Sequence, residues 1–302
     1  MSETESMVVV IAGPTASGKS ALAIDLARRI GGTIINGDAS QLYADLRILT
    51  ARPSAADEAL VPHLLYGVLD GDAIASAASW AAMARAAITD VLAVGRVPIV
   101  VGGSGMYLTT LVDGIAPVPE IDAAVRAAVR ALPTADAAAA LAAEDPALAA
   151  RLMPGDRQRI LRGLEVVRAT GRSLRDWQAV REGGLRGRHA LDLRMVDCPR
   201  ALLQARAATR LDAMVAAGAI DEVAALVARR LPADRPILRA LGVAPLAAVL
   251  DGTMTIDAAL AAATTATRQY QKRQLTWGRS QAGDWPRVAH DTARLTERLT
   301  VG

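Results

Sequence analysis

Apolar positions along the chain fall into short runs and helical faces that alternate. Residues 8–12 (VVVIA) form a continuous apolar run, a turn bounded by Gly13 and Gly18 follows, and Ala21, Leu22, Leu26 and Ile30 then recur at helical spacing. The pattern predicts strand, loop and a helix from Lys19 to about Ile30. Residues 33–36 read as a second strand, 74–93 as a helix and 97–101 as a third strand, and such unbroken apolar runs suit parallel strands covered on both faces. After Gly114 the character changes. Pro117 and Pro119 punctuate the chain, residues 122–152 become alanine-rich with stops at Pro133 and Pro146, and a helix capped by Asp156 runs to about Ala169 before Gly171. Residues 191–196 return as a strand, and 200–279 read as helices broken at Gly218, Pro236, Gly242 and Gly252.

Because the turn at residues 13–20 (GPTASGKS) has the phosphate-binding pattern G-x-x-x-x-G-K-[ST], the expected architecture is α/β: a P-loop NTPase-like parallel sheet flanked by helices, with a helical insertion domain. The boundaries expected are 1–116 for the first part of the core, 117–190 for the insertion and 191–302 for core completion and C-terminal helices. At 302 residues, 52% of them hydrophobic, the chain can bury such a core.

Net charge is only +3, but it is unevenly placed. Residues 151–181 carry net +5 and residues 256–279 net +3, leaving −5 for the remainder. Two basic segments on an acidic body suit a polyanion, since phosphate contacts depend on local charge; two solvated helical faces are the plainer reading. One cysteine, Cys198, excludes an internal disulfide, and the three histidines show no metal-ligand spacing with it. No apolar stretch approaches the roughly 18 residues of a membrane span, and no signal peptide is expected. A cytoplasmic monomer is the expectation.

Gly13-Pro14-Thr15-Ala16-Ser17-Gly18-Lys19-Ser20 matches G-x-x-x-x-G-K-[ST] between strand and helix, the context in which backbone amides cradle phosphate. Lys19 supplies charge, and the Ser20 hydroxyl is the candidate ligand for Mg²⁺. A nucleoside triphosphatase would pair this loop with an acid at a strand end. Here the third strand runs into Gly102-Gly103-Ser104-Gly105. Asp38 follows the second strand, where ligand crevices of parallel sheets lie, as a candidate base or a turn residue. Gln41 could read a base edge, and Ser104 could hydrogen-bond a phosphate or bridging oxygen.

With residues 13–20 stand Asp38 to Tyr43, Thr50-Ala-Arg-Pro53, Val61-Pro-His63, Gly102-Gly-Ser-Gly-Met-Tyr107, Asp156-Arg-Gln-Arg159 with Arg162, and Thr267-Arg-Gln-Tyr-Gln-Lys-Arg-Gln-Leu-Thr-Trp-Gly-Arg279. In these motifs and their order the chain resembles the tRNA dimethylallyltransferase family over nearly its whole length. The resemblance implies transfer of a dimethylallyl group from dimethylallyl pyrophosphate to N6 of adenosine 37 beside the anticodon, with Mg²⁺. It further implies Asp38 as the base on the adenine amine, Ser104 at the family's usual threonine near the leaving oxygen, and Arg210 on pyrophosphate, with Arg206 one helical turn away. Residues of tRNA contact would be Asp38, Ala39, Ser40 and Gln41, then Arg126, Gln158, Arg159, Ile160, Leu161 and Arg162, and finally Lys272, Arg273, Gln274, Thr276, Trp277 and Arg279. Departures stand at Ala39, Arg52, Leu64 and Val243, where the family usually has serine, lysine, histidine and tyrosine.

Three other readings stay open from the residues themselves. A small-molecule kinase would leave the insertion and the basic C-terminal segment unused. An isopentenyltransferase acting on free adenylate would lack residues 267–279, and a non-catalytic RNA-binding protein has no need to keep Lys19, Ser20 and Asp38 together. Trp277 is also open, as a stacking platform for RNA or as a core residue.

Overall fold

The computed structural model describes residues 6–290, so the outer ends of the first and last expected segments, 1–5 and 291–302, lie outside the described residues. Six strands, β1 (Met7–Ala12), β2 (Gly32–Asn36), β3 (His63–Leu64), β4 (Val97–Gly102), β5 (Ala190–Asp197) and β6 (Arg287–Ala289), form one sheet in the order β3-β2-β4-β1-β5-β6. Every ladder is parallel.

The helices in the first part of the chain are α1 (Lys19–Ile30), α2 (Ala55–Leu60), α3 (Ala77–Ala93) and α4 (Gly105–Asp113). Those in the middle are α5 (Ala123–Arg130), α6 (Thr134–Glu144), α7 (Pro146–Ala149), α8 (Arg157–Thr170) and α9 (Leu174–Gln178). After β5 come α10 (Arg200–Ala216), α11 (Ala219–Ala228), α12 (Val243–Leu250) and α13 (Ile256–Ser280).

The chain divides into two packed units. The first comprises residues 6–112 and 185–290 of those described. Alternation along its strands buries both sheet faces, as parallel sheets require. Val8, Val10, Ala12, Ile35 and Val100 face Trp80 of α3, Leu108 of α4 and the C-terminal helices, whereas Val9, Ile11, Ile34, Ile99 and Val101 face Leu22 and Leu26 of α1. Helix α3 begins three residues later than its apolar pattern suggests. Ser76 and Ser79 form a reciprocal capping box that fixes its start.

The second unit is Asp113–Gly184. It is built of α5 to α9 around Val129, Leu141, Leu148, Ile160 and Leu164. Its limits fall a few residues before the expected 117 and 190, because Ile115 bridges antiparallel to Glu182 and closes the unit at its neck. Pairing between residues so far apart leaves no compositional mark. Pro133 and Pro146, expected as stops, instead stand at the starts of α6 and α7, where a missing amide hydrogen costs nothing. Asp156 caps α8 and Gly171 ends it in the left-handed region, as its sequence predicts.

Candidate active site

Strands β2, β4 and β1 are neighbours, so the segments leaving their C-terminal ends emerge side by side: Gly37–Asp38, Gly103–Ser104 and Gly13–Ser20. Close backbone approach holds them together. Gly37 donates its amide to Val101 at 2.7 Å and Gly13 donates to Gly102 at 3.3 Å. A side chain on Gly102 would run into the Gly37 carbonyl, so glycine is required at this crossing.

The P-loop enters α1 through Gly18 at φ 91, and Ala16 also lies in the left-handed region, at φ 65. Ser17 is buried, and its hydroxyl has no partner among the described atoms. Ser20 is exposed in the first turn of α1. Burial holds the Lys19 ammonium down to about 8; Arg210 adds to this and Asp38 opposes it. Burial also lowers Arg210, again opposed by Asp38. One acid and two cations therefore share a single electrostatic site. An anion bound among the cations would relieve the unfavourable part of that arrangement.

Asp38 is oriented from both sides. Its amide donates to Asn36 Oδ1 at 2.8 Å, and its Oδ1 accepts from the Ser40 amide and hydroxyl at 3.1 and 2.7 Å. The Ala39 amide donates to Ser104 Oγ at 3.0 Å, which ties the aspartate loop to the second glycine turn. Tyr270 on α13 shares a hydrogen bond with Ser104, and burial together with the Asp38 charge pushes its phenol up. Tyr107 is pushed up to about 12, first by burial and then by Tyr43 and Asp38. These phenols stay protonated at neutral pH and can donate.

Two spaces meet here. A mouth of about 680 Å³ is bounded by the P-loop with Arg206, Arg210 and His290. A chamber of about 280 Å³ is lined by Asp38, Tyr107, Tyr270 and apolar groups including Leu211 and Met214, with Arg239 and Arg273 also on its wall. Ala16 and Arg210 line both. An anion site thus adjoins a tyrosine-lined, partly apolar chamber with a carboxylate in its wall, and β4 ends in glycine rather than in an acid.

The sequence profile of IPP transferases matches residues 41–281. The chain belongs to the IPP transferase family. It is 57% identical over 282 residues to a tRNA dimethylallyltransferase of Sphingopyxis alaskensis, covering 93% of this chain and 92% of that one. The corresponding protein of Zymomonas mobilis is 47% identical, with 94% and 91% covered. Among solved structures, a tRNA isopentenylpyrophosphate transferase of Bacillus halodurans superposes with a TM-score of 0.71 at 29% identity, covering 98% of this chain and 94% of that one. A eukaryotic dimethylallyltransferase described as acting on tRNA shares the fold, with a TM-score of 0.83 at 24% identity over 98% of this chain and 76% of that one.

Within this family member the residues expected at the phosphate and at the acid converge: Gly13 to Ser20, Asp38, Ser104 and Arg210. Of the three arginines of α10, Arg206 and Arg210 both line the mouth. In the second unit, Gln158 and Arg159 are exposed, and Arg126 and Arg162 half-buried, on the surface of α5 and α8. Glu165, itself buried, holds Arg130 at 3.0 Å and Arg162 at 3.7 Å. On α13, Lys272, Arg273, Thr276 and Arg279 are exposed.

Four expected contact residues turn inward. Ile160 is 2% exposed in the core of the second unit, and Leu161 packs against that core, because both fall on the buried face of an amphipathic helix. Gln274 is 4% exposed and hydrogen-bonded to the P-loop. Trp277 is partly buried, donates its indole N–H to Thr109 Oγ1 at 3.0 Å and packs edge-on against Trp285 at the margin of the core. Gln41 is also constrained, since its amide nitrogen donates to the carbonyls of Thr50 and Ala51 at 2.9 and 2.8 Å. Sequence reasoning missed Arg239, Met214 and Glu222. The Glu222 carboxylate accepts the backbone amides of Arg47, Ile48 and Leu49 and so shapes the loop that lines the chamber. No local pattern announces a partner 173 to 175 residues away.

Proposed function

We propose that this protein transfers the dimethylallyl group of dimethylallyl pyrophosphate to N6 of adenosine 37, next to the anticodon of tRNA, releasing pyrophosphate. The observation that carries this reading is that the cationic P-loop mouth and the chamber walled by Asp38 adjoin, with Ala16 and Arg210 lining both. The high identity to proteins named tRNA dimethylallyltransferases supports it.

The chemistry follows from what each group can do. Breaking the bond between the allylic carbon and the pyrophosphate oxygen leaves positive charge on the allyl group and negative charge on the leaving oxygen. P-loop amides, Lys19, Arg206 and Arg210 stabilise that anion, and fixed donors in a water-poor site are the most effective means of doing so. The adenine N6 lone pair forms the new bond to carbon, and the N6 proton passes to Asp38, whose Oδ1 is already held by Ser40. Tyr107 and Tyr270 line the chamber that would receive the base and the allyl group. The target base has to leave its stack to enter, at a cost of roughly a few kcal/mol.

Mg²⁺ suits the donor set. No group of three His, Cys, Asp or Glu side chains able to hold a metal stands among the described residues, so the ion would rest on the Ser20 hydroxyl and the pyrophosphate oxygens, as magnesium commonly does. When bound it would add positive charge beside the leaving group.

For tRNA, the exposed Gln158 and Arg159 with Arg126 and Arg162 of the second unit, and the exposed Lys272, Arg273, Thr276 and Arg279 of α13, are the proposed contacts. No helix among the described residues is long and apolar enough to cross a membrane. We place the enzyme's action in the cytoplasm, as a monomer. The test is incubation with labelled dimethylallyl pyrophosphate, Mg²⁺ and either tRNA or AMP, followed by nucleoside analysis. Label in the adenosine 37 of tRNA alone is expected, whereas label in AMP or none at all would overturn the reading.

A further inference from the structure

Helix α13 presents two kinds of residue to two sides. Lys272, Arg273, Thr276 and Arg279 are exposed, whereas Gln271 and Gln274 are each 4% exposed. A spacing of three puts the two glutamines on one face. Both reach the same P-loop residue. Gln271 Nε2 donates to the Thr15 carbonyl at 3.1 Å and to the Leu203 carbonyl at 3.1 Å. Gln274 Oε1 accepts the Thr15 amide at 2.8 Å, and its Nε2 donates to the Gly103 carbonyl at 3.0 Å. One helix face therefore ties both backbone polar groups of Thr15 and also the glycine turn that precedes Ser104.

Buried amides are costly to leave unpaired, so side chains satisfied in this way are held in one geometry. The neighbours conform to them. A side chain on Gly103 would collide with the Gln274 amide, and Ala16, next after Thr15, takes its left-handed φ of 65. The Thr15 amide, donated to Gln274, is thereby held toward α13.

We propose that Gln271 and Gln274 are positioning residues for the phosphate-binding loop, clamping Thr15 and Gly103 so that the loop amides and Ser104 keep a fixed relation before the donor arrives. The proposal rests on the prenyl-transfer reading of the same site. It assigns to the donor side a residue, Gln274, that lies in the midst of exposed basic positions.

The test uses the full-length protein in single-turnover assays at saturating tRNA, titrated with dimethylallyl pyrophosphate, alongside separate measurement of tRNA affinity. Q274L and Q271L remove the hydrogen bonds. Q274E retains an acceptor for the Thr15 amide but cannot donate to Gly103 when ionised. Each is expected to raise the donor half-saturation concentration by about 10-fold or more, the equivalent of one buried hydrogen bond, with tRNA affinity within about 2-fold of the parent. Should Q274L lose its folded circular-dichroism spectrum, the near-isosteric Q274E carries the test. Unchanged donor half-saturation in folded variants would overturn the clamp, as would weakened tRNA binding at unchanged donor half-saturation. A parent protein that fails to alkylate tRNA would instead refute the functional reading.

Discussion

Lys19 is the point at which charge, burial and proposed chemistry meet most directly, and it makes the pH dependence of the reaction calculable. With its ammonium held down to about 8, Lys19 in the ligand-free protein is about nine-tenths protonated at pH 7, half protonated at pH 8 and about one-tenth protonated at pH 9. Only the protonated form can stabilise pyrophosphate. Because kcat/KM reports the free enzyme, kcat/KM for dimethylallyl pyrophosphate should fall about tenfold between pH 7 and pH 9. The maximal rate should fall less, since a bound polyanion raises the pKa of the lysine that contacts it. Lys19→Met should lower kcat/KM by about 10²-fold or more and abolish this part of the profile.

The same burial has a consequence for stability. The folded-state pKa, about 8, lies below the ordinary lysine value of 10.5, so between these values the unfolded chain binds more protons and the stability of the empty protein rises with pH. Below pH 8 the penalty for burying the charged amine is constant. Lys19→Met removes it, and after discounting for partial exposure the ligand-free variant should gain on the order of 1–3 kcal/mol. A less active, more stable variant is the joint expectation, checked by donor titrations at three pH values and denaturant unfolding at pH 7. A flat kcat/KM profile in the parent, or a Lys19→Met variant of unchanged activity and lower stability, would refute the reasoning.

Asp38→Ala should reduce single-turnover rate by about 10²-fold or more at saturating substrates while leaving tRNA affinity nearly unchanged; an equal rate would remove the aspartate from its role as base. Arg159→Ala and Lys272→Ala should each weaken tRNA binding and reduce the magnitude of its salt slope by roughly one unit, with donor half-saturation spared, as read by salt titration. Trp277→Phe should cost about 1 kcal/mol of stability through the lost bond to Thr109 without altering tRNA affinity, whereas a selective loss of tRNA binding would make it a stacking residue after all.

The parallel core was legible because its signals are local. An apolar run, a glycine turn and a helical face in sequence sufficed for β1, the P-loop and α1, and Asp156 with Gly171 delimited α8 within a residue. Strands β3 and β6 were not legible. With two and three residues they are too short to show a period, and only their ladders to β2 and β5 define them. In the site, residue types revealed the phosphate chemistry and the candidate acid, yet they could not say which polar side chains already had partners. Gln41 is the example: its place beside Asp38 suggests base recognition, but its amide nitrogen is held by two carbonyls of the following loop.

The C-terminal motif shows the same limit in its sharpest form, because residues 267–279 interleave two functions on one helix. A basic cluster with glutamines and a tryptophan reads as a single nucleic-acid surface while helical phase is ignored. Once α13 is wound, Gln271, Gln274 and Trp277 fall at spacings of three on one side and face Thr15, Gly103 and Thr109, whereas Lys272, Thr276 and Arg279 remain outside and Arg273 stands exposed at the chamber wall. Helical period alone separates these sets but does not say which one is buried. That depends on the P-loop carbonyl and amide more than 250 residues earlier, whose own partners have to come from somewhere once they leave water. A segment that reads as a single tRNA motif therefore also carries side chains bonded to the phosphate-binding loop.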